Sequence, residues 1–140
     1  MSRPEEGVTT EAAGELVDPQ WYLRPVLFVS DLPAALRFYL DMLGFKKKWH
    51  SEEGKGTVCQ VDRGGCEIIL CEDPTRHDRS RLFVELNREG IDGLRHEIVE
   101  RSIPTGKAWW GYDVIRIVDP AGNELFFPLD DTNDRERQPK

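Results

Sequence analysis

The sequence predicts an α+β domain in which a β-α-β-β-β unit occurs twice, and three observations predict it. Short apolar, β-branched runs alternate with segments of helical spacing. The order of elements restarts after a polar linker. The two halves can also be laid on each other without gaps at an offset of 57 residues. Helices placed at intervals, each covering one face of antiparallel strands, give α+β layering.

The first element is Arg24-Pro25-Val26-Leu27-Phe28-Val29, which reads as a buried strand. Ser30-Asp31-Leu32-Pro33 starts a helix, with a capping oxygen ahead of a proline tolerated in the first turn. That helix runs to Leu43 and stops at Gly44. Leu36, Leu40 and Leu43, with Tyr39 beside them, form its core-facing stripe, while Arg37 and Asp41 face water. Strands Phe45–Ser51, Thr57–Asp62 and Cys66–Cys71 follow, the last two joined by a tight hairpin at Arg63-Gly64-Gly65.

A polar linker from Glu72 to Ser80 precedes the second unit. Leu82–Leu86 reads as a strand and Ile91–Val99 as a helix, with Leu94 and Ile98 one turn apart. Segment 102–110 is irregular or a weak strand. Tyr112–Val118 and Glu124–Pro128 are strands on either side of the turn Asp119-Pro120-Ala121-Gly122-Asn123. The domain spans 21–129, as modules of about 22–72 and 80–129. Residues 1–20 and 130–140, polar and without periodicity, read as mobile tails.

The repeat is clearest where Val61-Asp62-Arg63-Gly64-Gly65-Cys66-Glu67 meets Val118-Asp119-Pro120-Ala121-Gly122-Asn123-Glu124, with matches at Val, Asp, Gly and Glu. A competing offset of 55 lays Leu27-Phe28-Val29 on Leu82-Phe83-Val84, so the register of the first strands stays open.

Of the net charge of −7, residues 1–20 carry −4 (five acids, one Arg) and 130–140 carry −1 (four acids, three bases), which leaves −2 for 21–129. The densest basic run, Lys46-Lys47-Lys48, is short and lies in an acidic chain. It reads as a solvated strand edge, and nothing suggests nucleic acid. No apolar run approaches the roughly 20 residues of a membrane span, and the start Met1-Ser2-Arg3-Pro4-Glu5-Glu6 has no secretory pattern, so a cytoplasmic location is expected. Cys59, Cys66 and Cys71 form no CxxC pair and read as small thiols on strands. His50, His77 and His96 fall on an outer strand, a linker and a helix and read as surface residues.

The stretch Val29-Ser30-Asp31-Leu32, Ala35, Phe38-Tyr39 and Leu43-Gly44-Phe45, with Trp110-Gly111 and Asp119-Pro120-Ala121-Gly122-Asn123-Glu124-Leu125-Phe126, resembles the vicinal oxygen chelate superfamily. That group comprises glyoxalase I, extradiol dioxygenases, fosfomycin-resistance enzymes and bleomycin-resistance proteins. The resemblance implies two βαβββ modules whose curled mixed sheets enclose a cleft, commonly in a homodimer. It also implies metal ligands on the first and last strand of each module, at the places held here by Arg24, Ile69, Arg81 and Phe126. A guanidinium has no lone pair to give, and Phe and Ile have no donor at all, so on this register no metal and no other cofactor is expected.

Period-2 alternation puts Val26 and Phe28 on the face of Arg24, and Phe83 and Glu85 on the face of Arg81. An apolar, aromatic floor with a few charges suits a flat or amphipathic organic ligand. Arg24 and Arg81 read either as a paired anion clamp at the centre of the cleft or as solvated rim residues. Trp109 and Trp110 cannot both face inward on an extended chain, so one stacks on a ligand while the other packs in the core or a dimer interface. Many similar proteins carry Arg two residues after the glycine of this loop, where Asp113 stands here. With Phe126, these residues form the expected ligand site, and no catalytic residue is identified.

The first functional expectation is a metal-independent, homodimeric small-molecule binder resembling bleomycin-resistance proteins, which sequesters an aromatic or amphipathic compound unchanged. A lyase, isomerase or dioxygenase of the same superfamily with a non-standard metal site is the second. A catalytically empty dimerisation module is the third. Bleomycin itself is cationic and fits poorly to a domain that carries only −2.

Overall fold

Strand β1 (Val26–Val29) leads into helix α1 (Leu32–Leu36), and β2 (Lys46–His50), β3 (Val58–Arg63) and β4 (Cys66–Glu72) complete the first unit of the computed structural model, which describes residues 21–129. The second unit is β5 (Arg81–Phe83), α2 (Arg88–Arg101), β6 (Gly106–Trp109), β7 (Asp113–Val118) and β8 (Glu124–Pro128). The segments read as tails, 1–20 and 130–140, lie outside the described residues. Each unit forms one four-stranded mixed sheet, in the orders β1-β4-β3-β2 and β5-β8-β7-β6. The expected α+β pair of βαβββ modules is the observed architecture. The lysine-bearing β2 is an outer strand of its sheet, as its three consecutive lysines suggested.

In both sheets the first strand runs parallel to the last, and this pairing decides the repeat. Val26 faces Ile69 on β4, and Phe83 faces Phe126 on β8. Both members of these pairs differ by 57 (83 − 26 and 126 − 69), so the offset of 57 holds for the outer pair of strands and 55 does not. The third strands differ. Ile69 faces Gln60 and Phe126 faces Arg116, an offset of 56. The match of Val61-Asp62 to Val118-Asp119 is therefore not structural. The β3–β4 hairpin closes through Gly64 and Gly65 alone, between paired Arg63 and Cys66. The β7–β8 connection runs from Asp119 to Asn123, between paired Val118 and Glu124.

Asp31 caps α1 by accepting from the Ala34 amide at 3.1 Å, and Glu72 accepts from the Leu32 amide at 2.8 Å. The predicted helix to Leu43 is then interrupted, because Arg37–Met42 forms a π-helical turn, with the Leu43 amide bonded to the Phe38 carbonyl at 3.1 Å. The wider turn carries Phe38 and Tyr39 inward together, whereas Leu36 and Leu40 of the expected stripe are only half-buried. Two carbonyls left without helical partners at its end, Met42 and Leu43, accept from Arg101 and Arg63. Glu97 of α2 binds Arg63 through both carboxylate oxygens, at 2.8 and 2.7 Å, and reaches Arg101 at 3.1 Å. The Arg63 guanidinium beside it holds Glu97 below the usual carboxylate range.

Asn87 caps α2 on the Gly90 amide at 2.8 Å, which starts the helix three residues before the expected Ile91. One core joins the modules, with Leu27, Val29, Tyr39, Ile68 and Leu70 from the first and Leu94, Ile117, Leu125 and Phe127 from the second. Each such side chain contributes about 1.5–3 kcal/mol by leaving water. A cavity of about 590 Å³ lies at this seam, on the helix-bearing side of the sheets, lined by Leu43, Phe45, Leu82, Leu86, Leu94 and Phe127 among others.

A polar clasp crosses the same seam. The Tyr39 hydroxyl donates to Asp119 at 2.9 Å, and the Asn123 side chain donates to the Phe28 carbonyl at 3.2 Å while accepting from the Ser80 amide at 2.8 Å. The Asp-Pro-Ala-Gly-Asn turn is thus the joint between modules as well as the link between β7 and β8.

Candidate functional site

The face of each sheet turned away from the core carries the predicted site residues. On β1, Leu27 and Val29 are buried in the core while Val26 and Phe28 point the other way, as alternation requires. Arg24, just before the strand, shares that outer face. On β5, Arg81 and Phe83 lie opposite Glu124 and Phe126. β5 ends at Phe83, two residues short of Glu85, and Phe83, Glu85 and Leu86 all border the seam cavity.

On the first module the outer face is organised by Gln60, which is 2% exposed. Its amide oxygen accepts from the Arg24 guanidinium at 2.8 Å and from the Trp49 indole at 2.9 Å. Its amide nitrogen donates to Asp62 at 2.9 Å and Glu67 at 3.2 Å. Beside this network the Arg76 guanidinium stacks over Phe28, 4.0 Å from the ring centroid, and pairs with Asp78.

On the second module the outer face is an aromatic trough. Trp110 lies 4.9 Å from Phe83 and 5.2 Å from Phe126, centroid to centroid, and Tyr112 approaches Phe83 at 6.5 Å. Trp110 remains 44% exposed, so one side of the trough is open to solvent. Trp109 is 72% exposed, and the option of packing in the core does not describe it. Asp113 begins β7 opposite Trp109 and alternates with Ile115, away from the trough.

Each of the two arginines has a partner within its own sheet. Arg24 binds Gln60, whereas the Arg81 Nε donates to Glu124 at 2.7 Å and its guanidinium lies 5.5 Å from the Phe126 ring. Glu124 also accepts from the Arg116 Nε at 2.5 Å, and these two guanidinium groups, Arg116 foremost, hold its carboxyl below the usual range. The partner of Arg81 across the sheet is therefore Arg116.

Gln60, Trp49, Arg116, Glu124 and Tyr112 were not among the predicted site residues. Alternation alone assigns Arg116 a face once β7 is recognised, but not a neighbour. Its place beside Phe126 depends on the β7–β8 register, which the five-residue turn shifts by one from the first module.

The four positions at which the resemblance implied metal ligands are structurally equivalent in pairs: Ile69 faces Val26 and Phe126 faces Phe83, while Arg24 and Arg81 precede those partners by two residues. Their chemistry does not fit a divalent ion, because none of the four supplies a lone pair. Among the described residues no group of three or more His, Cys, Asp or Glu side chains is placed to hold a metal ion. No described helix is long and apolar enough to cross a membrane.

The fold is shared with several solved structures. A lactoylglutathione lyase from Agrobacterium tumefaciens superposes with a TM-score of 0.62 at 19% identity, covering 79% of this chain and 94% of that one. A bleomycin-binding protein from Streptomyces verticillus, solved with copper(II)-bleomycin, gives 0.61 at 23% identity, over 81% and 98%. A fosfomycin resistance protein from Listeria monocytogenes gives 0.63 at 14% identity, over 83% and 96%. No curated protein matches the chain. The family described as glyoxalase superfamily protein matches residues 8–134. The chain belongs to the glyoxalase superfamily.

Proposed function

We propose that this protein binds an aromatic or amphipathic small molecule without a metal and releases it unchanged, as a sequestering protein of the bleomycin-resistance kind. The observation that carries this reading is the trough of Phe83, Trp110 and Phe126, whose open side lies where a ligand ring would stack. Arg24, Val26 and Phe28 contribute the equivalent face of the first module. Arg24, Ile69, Arg81 and Phe126 offer no donors for a metal, which favours binding over the metal-assisted chemistry of a lyase, isomerase or dioxygenase.

The protein acts as a homodimer in the cytoplasm on this reading. Exposed Trp21, Tyr22, Leu23 and Trp109 supply apolar surface for a second copy. Calorimetry with a panel of naphthyl and polycyclic compounds, followed by chromatographic recovery, tests the proposal. Binding at micromolar Kd with full recovery is expected, and turnover that depends on an added divalent metal overturns it. Bleomycin serves as a control, with modest or no affinity expected.

A further inference from the structure

On the outer face of the second module the aromatic trough is bordered by an unequal set of charges. Glu124 is shared by Arg81 and Arg116, at 2.7 and 2.5 Å. Two guanidinium groups and one carboxylate leave a surplus of one positive charge. Glu124 lies below the usual carboxylate range and is ionised at neutral pH, so the sum does not depend on its titration there.

No other carboxylate on the strands of this sheet offsets that surplus. Glu85 lies two residues beyond the end of β5, and Asp113 on β7 alternates with Ile115 toward the opposite face. The neighbours of Arg116 along the outer face of β7, Val114 and Val118, are apolar. Both cations remain accessible, with side chains 65% exposed for Arg81 and 41% for Arg116. Each uses its Nε for Glu124, which turns the terminal nitrogens of the fork toward other partners.

The charges also sit beside the rings and not merely on the same sheet. Phe126, in ring contact with Trp110, is the register partner of Arg116, and it lies under the Arg81 guanidinium at 5.5 Å. The first module differs. There the corresponding face has Asp62 and Glu67 around Gln60, with Arg24 as the cation held in that network.

We infer that the trough selects planar aromatic anions, with the ring system against Trp110 and Phe83, over the buried Phe126, and its carboxylate or phenolate on the terminal nitrogens of Arg81 and Arg116. This inference rests on the proposed binding of aromatic compounds and adds the sign of the ligand. Glu124 has a positioning role, because one carboxylate accepting from both Nε atoms fixes two flexible side chains at the edge of the trough.

The test is a charge series on one ring system, measured by calorimetry on the full chain with 2-naphthoate, 2-naphthalenemethanol and 2-naphthylmethylammonium. Naphthoate is expected to bind at least tenfold tighter than the neutral alcohol, the ammonium compound is expected to be weakest, and the naphthoate preference should shrink as salt is raised. In Arg116→Gln and in Arg81→Gln the ratio of naphthoate to alcohol affinity should fall toward one, and Arg116→Lys should restore part of it. Equal affinities across the series, or preference for the ammonium compound, would overturn the inference while leaving aromatic binding intact. If none of the three compounds binds, the inference and the proposed function fall together.

Discussion

The hydroxyl of Tyr39, on the π-helical turn of the first module, donates a 2.9 Å hydrogen bond to the carboxylate of Asp119 in the last turn of the second, a separation of 80 residues. Both are almost fully buried. Burial, and then the neighbouring Asp119 carboxylate, raise the Tyr39 hydroxyl above its ordinary value.

Tyr39→Phe removes one donor from Asp119 and leaves its bonds from Ala121, from the Asn123 amide and from the Asn123 side chain. A loss of about 1–2 kcal/mol in urea unfolding is expected, the usual cost of one buried bond to a charged group. The native protein should also lose stability as pH rises above about 10, the unfolded tyrosine value, because the folded state resists ionisation. Tyr39→Phe should lack that alkaline loss. An unchanged alkaline limb in the variant would show that the clasp is not its origin.

Glu97 joins Arg63 and Arg101 at the seam, and its carboxyl is held down chiefly by Arg63. Its contribution is therefore complete above the unfolded glutamate value of about 4.3 and is lost as pH falls through the lower folded value. Glu97→Gln should reduce stability by about 1 kcal/mol at pH 7, a figure discounted for the 42% exposure of Arg63. The difference from the parent should shrink as the pH falls below the unfolded glutamate value. Denaturant midpoints measured from pH 3 to pH 7 decide this, and a constant difference would contradict it.

Gln60→Leu keeps the bulk of a side chain that is 2% exposed but removes its four hydrogen bonds. The variant should unfold about 1–3 kcal/mol more easily, because Asp62 and Glu67 are left side by side without the amide that joins them. A stability equal to that of the parent at pH 7 would mean that solvent replaces the network without loss.

The β2–β3 connection holds Glu52 and Glu53 in left-handed conformations, with φ of 51° and 55°. Such a conformation is costly for a residue with a Cβ and natural for glycine. Glu53→Gly should raise stability by about 0.5–1 kcal/mol and Glu53→Ala should not, and paired thermal melts of the two variants separate these outcomes.

Much of this organisation is present in local sequence. Leu27 and Val29 alternate with Val26 and Phe28, and period 2 sends them to opposite faces whatever the rest of the chain does. Asp31 and Asn87 cap their helices through bonds to amides three residues on. The two Gly residues at 64 and 65 close a hairpin by their own conformational freedom. These features depend on neighbours within a few residues, and so a linear reading finds them.

The site depended on strand neighbours, which are long-range and set by register. Arg81 points to the face that alternation assigns, yet its partners were decided by β8 lying beside β5, and by the longer β7–β8 turn that brings Arg116 opposite Phe126. The π-helical turn was likewise beyond a local reading. Phe38 and Tyr39 are adjacent, and a regular helix cannot bury both on one narrow stripe. It is Asp119 and the joint core, available only after the modules meet, that hold the wider turn in place. The sequence by itself determined which residues share a face, and tertiary structure decided which of them touch.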